Sequence, residues 1–456
     1  MRRPELRNIT LLAPQSFHSP VLGKYHGKQL DPPLGLLYLA SVLKDMCDIT
    51  IIDCEAQHLT AEEVSDVIIA SEAQVVGITL NFSTLLKNAR VIAKRIKAKA
   101  PDKIIVWGGN LATFYADTLI QEEYVDLIVL KEGEDTIRAC CEKNFDFTAF
   151  SEIDGIMYKG EGDIKIHPFT RYIEDLDSLP FPAYSLLKDP THYSMEICSS
   201  RGCLFNCVYC STKRMWQKWR ERSVPNIMAE LEALIAEFDI DTFSFADDNF
   251  VVDRKRVNEF IRMMKEKKIS LKYGWGFSAR IDMIDAAFLE TLADAGCNRI
   301  FFGIESGSSV ILEKLRRTYS IHEVREKIDQ CIHVGILPTA SFMIGLPWER
   351  REDIEATLDL AETINTPKVQ IHPFTPMPGT LMYMNPEQFG LTIHPHDIED
   401  ESLDQGKVFY DTPYLSAQTL RDLTIEGRGI MTERLREMES YMEMMFKKDK
   451  GEDQCS

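Results

Sequence analysis

The sequence lacks any apolar run near the roughly 18 residues that crossing a bilayer requires. Its N-terminus, "MRRPELRNITLLAPQ", has two arginines ahead of "ITLLAP", which is too short for a secretory signal, so a cytoplasmic location is expected. It also lacks positive charge. Fifty-two Lys and Arg stand against 71 Asp and Glu, a net charge of −19, which argues against nucleic-acid backbones and anionic membranes as main partners. No solenoid-type repeat is present. Eleven cysteines, an odd number spread through apolar segments, do not make a disulfide framework. What remains is a 456-residue chain, 45% hydrophobic and 27% charged, with material for two or three domains.

Residues 1–145 alternate β-branched runs ("NITLLAP", "DITIIDCE", "VVGITL", "KIIVWGGN", "DLIVLKEGE") with helical periods such as "LLKNARVIAKRIKAKA". Near-continuous apolar strands joined by helices predict a doubly wound, five-stranded parallel domain of Rossmann or flavodoxin type. Ligands of such sheets sit beyond the carboxyl ends of the strands. Here those ends are "LNFST", "GGNLAT" and "KEGED". Residues 146–190 read as a linker with a hairpin around "KGEGD". Between 191 and 380 six strand patterns ("MEICSS", "TFSFAD", "KYGWGF", "RIFFGIES", "TASFMIG", "KVQIHPF") alternate with helices, a partial (β/α)6 barrel whose active site belongs at the strands' carboxyl ends. Residues 381–456 read as mostly helical, with a methionine-rich side that more often means packing than a cofactor box.

In the loop after the first barrel strand stands "CLFNCVYC", with Cys203, Cys207 and Cys210. A structural zinc site usually takes four ligands in two knuckles, and no second Cys or His pair follows at knuckle spacing. Three thiolates can instead hold three irons of a cubane cluster and leave the fourth open. On spacing alone, zinc or coincidence still competes; the position at a barrel mouth favours the cluster.

This motif, with aromatic Tyr209 before the last cysteine, resembles that of the radical S-adenosylmethionine (SAM) enzymes. "FADDNF", "FSARID", "FFGIESGS", "FMIGLPWE" and "HPFTPMPGT" are similar to further segments of that family. The resemblance implies a [4Fe-4S] cluster on Cys203, Cys207 and Cys210, with SAM chelating the open iron and cleaved by one electron to a 5′-deoxyadenosyl radical. It further implies Arg280 for the SAM carboxylate, Glu305 for its ribose or amino group, the backbone of Ile344 and Gly345 for adenine, and Asp247 for ordering the floor of the site. The domain before the barrel, with "GGNLAT", "KEGED" and "DLDSLPFPAYSLL", resembles the cobalamin-binding branch, which includes C-methyltransferases and the anaerobic magnesium-protoporphyrin monomethyl ester cyclase. Asn81, Ser83, Gly108, Gly109 and Glu132 are then the candidate corrin contacts. One departure is the missing Asp-x-His-x-x-Gly: His18 and Gly23 are wrongly spaced for it, which implies cobalamin held without a histidine ligand, or a domain that has lost it.

The expected function is methylation of an unactivated carbon in a large, apolar small molecule, with a lean to a bacteriochlorophyll-type tetrapyrrole side chain. Oxidative cyclisation, rearrangement or dehydration is the alternative, and a non-catalytic partner protein the alternative of another class. Three intact cysteines count against the last. Trp216, Trp219, Trp275, Trp348, Met377, Met382 and Met384 suit a flat apolar substrate or, equally, ordinary packing. The expected partners are that substrate and a low-potential electron donor such as flavodoxin or ferredoxin, with no nucleic acid and no membrane span.

Overall fold

The computed structural model describes residues 6–16, 30–400 and 408–449, with side chains up to 436. The stretch holding His18 and Gly23 lies outside the described residues. Two compact units are present. One gathers the chain up to Gly202 with Thr212–Asp239; the other gathers Cys203–Ser211, Ile240–His396 and the C-terminal helix.

In the first unit, β1 (Asn8–Ala13), β2 (Asp48–Asp53), β3 (Val75–Thr79), β4 (Ile104–Gly108) and β5 (Leu127–Val129) run parallel in the order β2-β1-β3-β4-β5. The strands are apolar on both faces because helices cover both: Leu11, Leu12, Val76, Ile78, Ile105 and Trp107 are all buried. Helix Leu86–Lys99 turns Leu86, Ala89, Ile92, Ala93 and Ile96 onto the sheet at helical spacing. Thr60 and Glu63 close a capping box at the start of helix Ala61–Ala70. The strand order reverses between β1 and β3, which opens a crevice at their carboxyl ends. The expected hairpin exists as β6 (Ile156–Lys159) and β7 (Ile164–His167), but it is not a free connector. It pairs antiparallel with β5 and extends the sheet to seven strands. The physical reason is burial: Ile156, Met157 and Tyr158 all need cover, which the edge of β5 supplies.

All six stretches read as barrel strands are strands. In the second unit Phe243–Phe245, Trp275–Ala279, Cys297–Glu305, Leu337–Ile344 and Lys368–Pro373 are successive parallel neighbours. Helices Arg254–Glu266, Ala286–Ala293, Ile321–His333 and Arg351–Thr363 lie between them in sequence. An aromatic core fills one end: Phe245 stacks on Phe250 at 4.0 Å, and both lie against Trp275. Trp275 and Met382 are therefore core residues and not a wall for substrate. The pairing of Cys297–Glu305 with its neighbour slips between Gly303 and Glu305, where Glu305 takes φ +75. Such an irregularity at a strand end re-aims a side chain. The C-terminal segment is one helix, Ala417–Asp449. Gly427 lets it approach the last strand, since a Cβ there would meet Ile371 Cγ2 at 2.9 Å. Met431 is packed rather than exposed. No described helix is long and apolar enough to cross a membrane.

Candidate active site

The cysteine loop is entered through Gly202, whose φ is +89 and whose Cβ would lie 2.5 Å from Lys218 O; only glycine fits. Beyond it Cys203, Cys207 and Cys210 are half-exposed and free of disulfide bonds. A short turn, Cys210 N–H to Cys207 O at 3.1 Å, brings the last two round. Leu204 and Asn206 face solvent. Burial pushes the Cys203 thiol up, opposed by the Phe205 N–H, while Asp248 and Cys207 add to the rise and Arg280 counters it.

Behind the loop the Tyr209 hydroxyl donates to Glu305 Oε1 at 2.9 Å, and Arg317 Nη2 reaches the same oxygen at 2.7 Å. Arg317 also bonds the Tyr209 oxygen. Its guanidinium is 3% exposed, and its Nε and Nη1 have no hydrogen-bond partner. Burial opposes its charge, yet Tyr209 and Glu305 hold its pKa well above the usual range. A buried cation with two idle donors is costly and fits a site built for an anion. Arg317 is turned inward by a helix end. Arg316 is left-handed (φ +57), with its N–H on Glu313 O and that of Arg317 on Leu312 O, closing helix Ser309–Lys314 in a Schellman turn.

Arg280 follows strand Trp275–Ala279. It grips Asp282 in a fork, Nε and Nη2 at 3.0 and 2.6 Å, and lies 3.9 Å from the Phe205 ring centroid. Burial alone would raise the Asp282 pKa, but Arg280 and Thr318 hold it below the usual carboxylate range. Only part of the Arg280 fork is left for a ligand. Asp247 is buried, with Arg256 at 3.6 Å.

The expectation of adenine on the backbone at Ile344 and Gly345 needs correction. Gly345 N–H and Leu346 N–H both donate to Glu349 Oε2, at 2.6 and 2.7 Å. The Gly345 carbonyl accepts from Tyr410, and the Ile344 carbonyl from Phe374 N–H. Gly345 has φ +92, and a Cβ there would sit 2.5 Å from the Tyr410 oxygen. The turn is held from within, and the N–H groups of Gly345 and Leu346 are both engaged by Glu349. Glu349 is fully buried, Oε1 has no partner, and burial pushes its pKa up to about 8 against the two backbone donors that lower it. A raised carboxyl pKa stabilises the fold below the unfolded value of 4.5, and that stability is lost as pH rises towards 8. Glu349→Gln keeps an oxygen for both N–H groups and removes the ionisation. Its unfolding free energy is expected to match the parent at about pH 4 and exceed it by on the order of 5 kcal/mol at about pH 9. Denaturant titrations giving parallel curves for the two proteins would refute this.

In the first unit, Asn81 and Ser83 follow β3, and Gly108 and Gly109 close β4, all at the crevice end. Gly109 has φ +102; a Cβ there would lie 2.6 Å from Asn81 Oδ1 and 2.7 Å from Leu80 O. Only glycine fits there, because Asn81 and Leu80 fill the place a side chain would take, and the carbonyls of Gly108 and Gly109 accept from Leu80 N–H and Thr113 N–H. Ser83 is buried at the start of a short 3-10 turn. Glu132 is committed elsewhere. Its carboxylate accepts from Arg201, from Arg220 at 3.0 Å and from Ile173 N–H at 2.8 Å, and Arg201 also holds Glu134 at 2.5 Å. This corrects the corrin-contact reading of Glu132: it is the centre of an internal ion cluster. Tyr38 and Trp216 flank Arg201, with ring centroids 5.1 and 5.7 Å away. Arg201, Arg220 and Arg317 all escaped the sequence reading, because no spacing rule separates a buried arginine from a surface one.

The residues present fit an iron–sulfur cluster with SAM, and a corrinoid. Three thiols share one loop, an unsatisfied guanidinium lies behind it, and a glycine turn stands at the crevice of the first sheet. Comparisons with known proteins agree. Residues 197–361 match the radical SAM superfamily and residues 27–141 the B12 binding domain. An uncharacterized methyltransferase of Pyrococcus horikoshii is 31% identical over 360 residues, 77% of this chain and 78% of that one. The anaerobic magnesium-protoporphyrin IX monomethyl ester cyclase of Rubrivivax gelatinosus is 27% identical, over 81% of this chain and 68% of its own. The radical SAM methyltransferase TsrM of Kitasatospora setae, solved with cobalamin and a [4Fe-4S] cluster, shares the fold with a TM-score of 0.71 at 15% identity, covering 94% of this chain and 89% of that one. The chain belongs to the cobalamin-binding radical SAM family, as an enzyme whose cofactors are a [4Fe-4S] cluster, SAM and cobalamin.

Proposed function

We propose that the protein methylates an unactivated carbon of a large, apolar small molecule, with a tetrapyrrole side chain of bacteriochlorophyll type as the favoured acceptor, and that it does so in the cytoplasm. The observation that carries this reading is the presence in one chain of an intact three-cysteine loop and a doubly wound sheet that matches the B12 binding domain. When bound, the cluster and SAM supply a radical that removes hydrogen from carbon, and cobalamin supplies the methyl group. The protein's own part is positioning. Cys203, Cys207 and Cys210 hold the cluster. Tyr209, fixed by Glu305 and Arg317, sets the last turn of the loop. Arg317, with two donors to spare, receives the SAM carboxylate, and Arg280 lends it the donor that Asp282 leaves unused. The backbone at Gly108 and Gly109, with Asn81, borders the corrin.

The likeness to the Rubrivivax cyclase favours oxidative cyclisation as the second reading. Product stoichiometry separates the two. With a tetrapyrrole acceptor and a chemical reductant, methyl transfer yields S-adenosylhomocysteine and 5′-deoxyadenosine in comparable amounts. 5′-Deoxyadenosine without S-adenosylhomocysteine would refute methylation in favour of the cyclase reading.

A further inference from the structure

Between residues 205–208 of the cysteine loop and the turn after helix Ser309–Lys314 lies a cavity of about 330 Å³, with Cys207 in its wall. Four charged side chains line it: Arg280, Asp282, Lys314 and Arg316. Arg280 and Asp282 neutralise each other. Lys314 and Arg316 are exposed, and neither has an ion-pair partner among the described residues. The Schellman turn that sends Arg317 inward also holds Arg316 outward at this rim. Leu204, next in sequence to the lining residue Phe205, is 60% exposed, a large apolar side chain within the cysteine loop itself. Glu313 precedes Lys314 in its helix, and Asp248 acts on Cys203.

We propose that Leu204, Asn206, Lys314 and Arg316 form the docking surface for an acidic electron-transfer protein. The proposal rests on the reading that Cys203, Cys207 and Cys210 hold the cluster. Uncompensated cations on a chain of net charge −19 give an acidic carrier one favoured approach, since most of the surface repels it. A carrier seated there meets the wall made by Cys207, so the electron has a short path to the metal.

The test compares two electron sources in the reconstituted full-length protein. A flavodoxin with its reductase is one, and titanium(III) citrate, which needs no docking, is the other. With flavodoxin, 5′-deoxyadenosine formation is expected to fall roughly ten-fold in Lys314→Glu/Arg316→Glu, and the affinity for flavodoxin of the protein without iron, read by calorimetry, is expected to fall by a similar factor. It should fall similarly in the parent when salt is raised from about 50 to about 300 mM. With titanium citrate the variant and the parent are expected to match. An equal loss with both reductants would place the two cations in SAM binding and overturn the proposal. Unchanged flavodoxin-driven turnover would overturn it too. No product from the parent with either reductant would remove the cluster reading itself, and the proposal with it.

Discussion

Cys207→Ser, purified and reconstituted without oxygen, is expected to hold far less iron than the parent and to cleave SAM at least roughly 10³-fold more slowly. A cluster held by three thiolates has none to spare, because its fourth iron must stay open. A serine oxygen is a poorer partner for this iron, and no second cysteine or histidine knuckle stands ready to replace it. Cys203→Ser and Cys210→Ser are expected to behave alike. Cys198→Ser is the control: Cys198 is half-exposed too, five residues upstream, with its thiol on Ser200 O at 3.3 Å, and iron content should survive its loss. Iron analysis with 5′-deoxyadenosine quantification checks all four. Full turnover in Cys207→Ser, or iron lost in Cys198→Ser, would reassign the ligands.

Arg317→Met is expected to weaken SAM binding by about 10- to 100-fold, the equivalent of one or two charge-assisted hydrogen bonds at about 1.5–3 kcal/mol. Removing the guanidinium also strands Glu305, whose carboxylate accepts from Tyr209 and Arg317, so the single variant mixes two effects. Arg317→Met/Glu305→Gln separates them by removing the half-buried acid. If Arg317 touches SAM, the double variant stays weak in binding while its folding recovers. Arg317→Lys keeps the charge without the fork and should fall between. Calorimetric SAM affinity and the SAM-induced change in the reduced cluster's spin-resonance signal give two readouts independent of turnover. Parent-like values for both in Arg317→Met would confine Arg317 to supporting Tyr209 and Glu305.

The large design was legible in the sequence because it rests on periodicity and on one dense motif. Strands buried on both faces are apolar throughout, as in "KIIVWGGN", and a cysteine loop after a strand is a local feature. What escaped depends on contacts distant in sequence or on one dihedral angle. Arg316 and Arg317 are neighbours in "EKLRRT", yet one is at the surface and the other buried, decided by the left-handed turn at Arg316. Glu132 sits where a ligand contact belongs, but Arg201 and Arg220, far along the chain, take up its carboxylate. Gly345 was expected to offer its backbone to adenine, and its N–H and carbonyl are engaged by Glu349 and Tyr410, residues that nothing in the sequence connects with it. The hairpin was visible, whereas its place on the sheet edge followed only from which of its residues needed cover.

The most direct test is to reconstitute the full-length protein anaerobically with iron, sulfide and hydroxocobalamin, remove what is unbound, and count metal and corrinoid per chain. About four irons together with about one corrinoid are expected. Iron without corrinoid would sink methyl transfer through cobalamin, and zinc in place of iron would contradict the radical SAM chemistry altogether.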